Sequence, residues 1–88
     1  MIDQERMKQD LSRLRDTVAK AADALKLPLL REELAELKEE MNAPEFWNNL
    51  ERSTAVNRKV SQIEGKLDHV KRLETRADDV EAMLELLA

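Results

Sequence analysis

The sequence has no cysteine and no tyrosine, a single glycine, two prolines, one phenylalanine and one tryptophan. Without cysteine there is no disulfide framework and no thiolate nucleophile or metal site, which suits a reducing compartment. One glycine cannot build a phosphate-cradling loop. No apolar run exceeds three residues, as in Leu86-Leu87-Ala88, whereas a membrane span needs about 18. The opening Met1-Ile2-Asp3-Gln4-Glu5-Arg6 has no basic start followed by an apolar stretch, so it does not read as a signal peptide. No membrane partner is expected, and the expected location is cytoplasmic.

A strong excess of either charge is also missing. Residues 1–42 hold 10 acidic and 8 basic groups and residues 43–88 hold 9 and 7, so each half carries −2 and the whole −4. With no basic arm or patch, direct nucleic-acid binding is not expected.

What the chain does have is charged and hydrophobic side chains, at 39% and 42% of 88 residues. That is the composition of a long-helix or coiled-coil protein. Met7, Leu11, Leu14, Val18, Ala21 and Leu25 step by 4, 3, 4, 3 and 4, a two-per-heptad seam that places a helix over about residues 3–25. Asp3 is its expected N-cap and Glu5 suits the first turn. Pro28 ends or kinks this helix and suits the first turn of the next. Leu30, Leu34, Leu37 and Met41 carry a second helix over about 29–41, with Asn42 expected in left-handed conformation just beyond it. Pro44, Glu45, Phe46, Trp47 and Asn48 read as one helical turn in a corner. Val56, Val60, Ile63, Leu67, Val70, Leu73, Ala77, Val80, Leu84 and Leu87 define a third helix over about 51–87, on the order of 55 Å long.

The expected fold is all-α: one antiparallel, coiled-coil-like helical bundle over residues 1–88, with three main helices and a short turn before the long third. Helices 1 and 2, about 33 and 18 Å long, either lie in succession along helix 3 or form a hairpin that leaves part of its stripe bare. The bare stripe would be a surface for self-association. From Ala77 onward there are four carboxylates and no basic residue, opposing the helix dipole at an uncapped, still apolar end. This end reads as that of a fragment of a longer protein, or as one that pairs with another chain.

No constellation supports catalysis. His69 flanks the seam, and a metal site needs three or more converging ligands, so it reads as a surface histidine. The pairs Glu32/Glu36, Glu33/Glu36 and Glu81/Glu85 lie on solvated faces, where no cleft desolvates a carboxylate for acid–base work. A lone histidine remote from any nucleophile turn gives no triad. No cofactor, metal or enzyme activity is expected. Gly65, mid-helix, reads as a close approach of a facing helix, with a flex point as the alternative. Of the adjacent rings Phe46 and Trp47, at least one is expected to plug the end of the bundle. With Trp47 as that plug, Trp47→Ala would cost about 3–5 kcal/mol. The other reading is an exposed anchor for a partner.

The same corner carries a resemblance. Arg31-Glu32-Glu33-Leu34-Ala35-Glu36-Leu37, followed by Met41-Asn42-Ala43-Pro44-Glu45-Phe46-Trp47-Asn48-Asn49, resembles the N-terminal domain of bacterial peptide chain release factors, the release factor 2 branch in particular. Asp79-Val80-Glu81-Ala82-Met83-Leu84-Glu85-Leu86 is similar to the acidic, Leu-rich end of that domain's long helix. The likeness covers about residues 29–88. It implies a non-catalytic part of a factor that recognises stop codons and triggers peptidyl-tRNA hydrolysis through later domains, including a Gly-Gly-Gln loop that one glycine excludes here. The implied partner is the ribosome near its stalk base, and Pro44, Glu45, Phe46, Trp47 and Asn48 would be a structural turn motif. The competing reading is a coiled-coil adaptor or oligomerisation module unrelated to translation.

Overall fold

The computed structural model describes residues 3–87. Met1, Ile2 and Ala88, the ends of the expected 1–88 domain, lie outside the described residues. Three α-helices and one short 3₁₀ turn account for the described regular structure, and no strand occurs among the described residues: α1 is Gln4–Leu25, α2 is Leu27–Met41, the 3₁₀ turn is Phe46–Asn48 and α3 is Leu50–Leu87. The helices follow the apolar periodicity closely. Asp3 caps α1, with the Arg6 N–H donating to its Oδ1 at 3.1 Å.

Only one residue separates α1 from α2. Lys26 adopts φ 51° and ψ 59°, the sole non-glycine residue with positive φ among the described residues, and its carbonyl accepts the Leu29 and Leu30 N–H groups at 2.9 and 3.1 Å. Helix α2 therefore starts at Leu27, two residues earlier than its seam implies. Pro28 falls in the first turn, where its missing N–H costs nothing.

Asn42 does not take the left-handed conformation expected of it. Its φ of −83° and ψ of −10° continue the right-handed sense. The end of α2 instead tightens through three-residue bonds, Asn42 N–H to the Glu39 carbonyl at 3.0 Å and Ala43 N–H to that of Glu40 at 3.1 Å. These bonds satisfy two terminal carbonyls without a left-handed residue.

The chain divides into two compact units, Leu25–Asp68 and the remainder, with α3 contributing to both. In the unit of Leu25–Asp68, α2 runs antiparallel to the first half of α3. Glu40 pairs with Arg52, while the earlier Glu33 pairs with the later Lys59 at 3.6 Å. Lys38 and Glu64 add a contact at 3.5 Å. Leu27, Phe46, Ser53, Val56 and Ile63 are its buried residues. In the other unit, α1 runs antiparallel to the second half of α3: the Gln4 side chain donates to the Leu87 carbonyl at 2.6 Å, and Arg15 reaches Asp78 at 2.9 Å and Glu81 at 2.6 Å. Val18, Val70 and Ala77 are buried there.

Val56, Ile63 and Val70 are each 1% exposed and Ala77 is fully buried, one row at a strict spacing of seven. Each unit thus covers its own part of the α3 stripe, α2 over the first half and α1 over the second. Among the described residues the stripe is not left bare between Val56 and Ala77.

Gly65 also departs from expectation. A Cβ placed there would meet nothing within 4 Å. No helix approaches it closely, because it lies two residues from buried Ile63, about 200° around the helix on the solvent side. No described helix is long and apolar enough to cross a membrane.

Candidate docking surface

The corner between α2 and α3 is built by its lack of helix-continuing geometry. Pro44 offers no N–H, so the turn closes through its neighbours: Phe46 N–H to the Ala43 carbonyl at 3.1 Å, Asn48 N–H to Glu45 at 3.1 Å and Asn49 N–H to Phe46 at 3.3 Å. The 3₁₀ segment is accordingly only Phe46–Asn48, shorter than the 44–48 turn expected, with Pro44 and Glu45 in the turn that precedes it.

These five residues do not share one environment. Pro44, Glu45 and Asn48 are exposed. Phe46 is 6% exposed and Trp47 59% exposed. The plug is therefore Phe46, and the expectation that Trp47 is buried is wrong. Consecutive residues of a tight turn point apart, and only one ring can enter the core. Trp47 stays in contact through an edge-to-face arrangement, with ring centroids 4.8 Å apart and planes at 88°. Part of the indole thus stays open to solvent while its ring rests against a buried one.

Three features that hold the corner were missed at the level of sequence. Asn49 caps α3: its Oδ1 accepts the Arg52 N–H at 3.0 Å and its carbonyl accepts the Ser53 N–H at 2.9 Å. The signal was legible, since asparagine favours the position just before a helix and stands two residues before the expected start at 51. Ser53 is 5% exposed and extends the seam three residues before Val56, its hydroxyl donating to the Leu50 carbonyl at 3.1 Å. A polar residue on an apolar row escapes a hydrophobic pattern.

The third feature is a forked ion pair, Arg52 Nε and Nη2 each 2.7 Å from a different carboxylate oxygen of Glu40. The bidentate bond from Arg52 holds the Glu40 carboxyl below its ordinary value, and Glu40 in turn raises the Arg52 guanidinium. In the other unit, the hydrogen bond to Asp78 raises Arg15 in the same way, with Glu81 adding to it. All these groups remain open to solvent and tie helices together.

His69 is exposed, as are Glu32, Glu36, Glu81 and Glu85, while Glu33 is half-buried. Among the described residues no three histidine, cysteine or carboxylate side chains cluster to hold a metal, and no buried side-chain polar atom lacks a hydrogen-bond partner. Large apolar side chains exposed beside the corner are Trp47 (59% exposed) and Leu50 (78% exposed).

The comparisons with known proteins fall on the same elements. The PCRF domain matches residues 30–88, from within α2 through the corner and along α3. Peptide chain release factor 2 of Kineococcus radiotolerans is 35% identical over 77 residues, that of Rhodococcus jostii 34% and that of Clostridium perfringens 30%, each over 88% of this chain. The chain spans about a fifth of those relatives, 21% of their length. No solved structure matches it. The corner and the two helices it joins are thus the part of the molecule matched by the PCRF domain, and the chain belongs to the PCRF domain family.

Proposed function

We propose that this chain is the non-catalytic N-terminal helical domain of a peptide chain release factor, acting in translation termination at stop codons by positioning the factor on the ribosome near the stalk base. The PCRF match over residues 30–88 carries this reading, supported by relatives named peptide chain release factor 2 that match over 77 residues. Geometry supports a docking role over chemistry. The surface offers an aromatic anchor and ion-paired helices, and its ionisable groups are solvated.

A net charge of −4, divided equally between the two halves, favours ribosomal protein over bare RNA phosphate as the contact. No nucleic acid, membrane or cofactor takes part directly, and the site of action is the cytoplasm. Because a single domain of a tandem binder contributes only part of the avidity, isolated binding is weak.

Titration of the isotope-labelled chain with large ribosomal subunits tests this. The expected result is line broadening confined to one face, reversed by added salt. Uniformly unperturbed spectra at high subunit concentration would contradict it.

A further inference from the structure

The first half of α3 keeps an outward face that its own unit leaves open. Leu50 is 78% exposed, and Glu51, Thr54, Ala55 and Arg58 are exposed with it. These five residues line an open depression of ≈ 570 Å³ whose walls are mostly apolar. A second, of ≈ 260 Å³, is lined by Asn49, Glu51, Arg52 and Ala55. The cause is side-chain length. Thr54 and Ala55 are short, and longer residues stand on either side of them, Leu50 and Glu51 before and Arg58 after. The helix surface dips between.

Glu51 and Arg58 are seven residues apart, so they lie on one side of the helix, separated by about 10 Å along its axis. Among the described residues neither forms an ion pair within the chain. An acid and a base so placed across a dip are complementary to the same pair running the other way. We propose that this face docks a second copy of the chain, α3 against α3, antiparallel, with the two-fold axis between Thr54 and Ala55.

In that register Glu51 meets Arg58 of the second copy and Arg58 meets its Glu51, two equivalent ion pairs from one patch. Thr54 faces Ala55 of the second copy, and their small side chains let the helix backbones approach. Leu50 lies at the edge, where contact removes apolar surface from water. Charge selects this arrangement against its neighbours. A parallel pairing sets Glu51 against Glu51, and an axis through Arg58 sets Arg58 against itself, both like-charge contacts. The surface is distinct from the α3 stripe, and the pairing stands independently of the release-factor reading. A patch this small gives a weak, reversible dimer.

Sedimentation equilibrium of the 88-residue chain, from micromolar to about millimolar at low salt, tests the pairing. The mass is expected to rise with concentration from 10.2 kDa toward twice that value. Arg58→Glu or Glu51→Arg alone is expected to weaken association about tenfold or more, and the double exchange to restore it to within about threefold. Ala55→Arg is expected to abolish it. Arg58→Glu and Ala55→Arg lie beyond the first turn, so they remain decisive if Glu51→Arg loosens the start of α3; circular dichroism confirms that each variant stays helical. A constant mass of 10.2 kDa at every concentration would overturn the proposal. So would a double exchange as weak as the single ones, or association that survives Ala55→Arg.

Discussion

The rings of Phe46 and Trp47 meet edge to face, 4.8 Å between centroids, with Phe46 in the core and Trp47 in solvent. Adjacent in sequence and touching in space, they do different work, and truncating each should show it. Phe46→Ala leaves a cavity and is expected to cost about 3–5 kcal/mol. Trp47→Ala loses mainly the ring–ring contact, about 1 kcal/mol. Urea unfolding followed by circular dichroism measures both, since the only indole is lost in one variant. Equal losses would place Trp47 in the core after all.

Lys26 holds left-handed geometry that costs an L-residue about 1–2 kcal/mol. Glycine adopts it freely but loses more entropy on folding, about 0.5–1 kcal/mol. Lys26→Gly is therefore expected to stabilise the chain, by about 0.5–1 kcal/mol on balance. The rise of the urea midpoint at constant slope reports it.

Gly65 sits in regular helix with open space where a Cβ would be. Gly65→Ala should add about 0.5–1 kcal/mol by reducing the freedom of the unfolded chain. A higher melting temperature is the expected outcome. A lower one would mean that another backbone passes close to this position.

Much of the fold was legible because heptad spacing is an axial signal. It placed α1 from Asp3 onward, recovered α3 almost to the residue and marked the interruption near Pro28. It says nothing about azimuth outside a helix, and that is why the corner misled. Phe46 and Trp47 are both large aromatic residues and adjacent, and the closed 3₁₀ turn decides which one faces inward. Asn42 and Lys26 failed for a related reason. Asparagine is the better left-handed residue by intrinsic preference, but one-residue spacing between α1 and α2 forces the conformation on Lys26, while α2 ends without needing it. At the candidate surface the family motif was readable in order along the chain. The Glu40–Arg52 fork joins residues twelve apart on separate helices, and no local pattern announces it.

That fork has a pH signature. Arg52 depresses the Glu40 carboxyl below its unfolded value of 4.5, so Glu40 binds fewer protons folded than unfolded. Its contribution to stability is then fully present above the ordinary carboxylate range and is lost as pH falls through the lowered folded value. Carboxyl-carbon NMR titration should find Glu40 below its ordinary value, and Arg52→Met should raise it back. An unchanged Glu40 titration in that variant would place the cause elsewhere.

Grafting this chain in place of the matching stretch of the Kineococcus radiotolerans release factor 2 tests the docking role most directly. Association of the graft with ribosomes halted at a stop codon would be compared with that of the intact factor and of a version lacking the segment. The account predicts a rate within about tenfold of the intact factor, the narrow span typical of related complexes, and well above that of the truncated one. A graft no faster than the truncated factor, with its helices still formed, would contradict it.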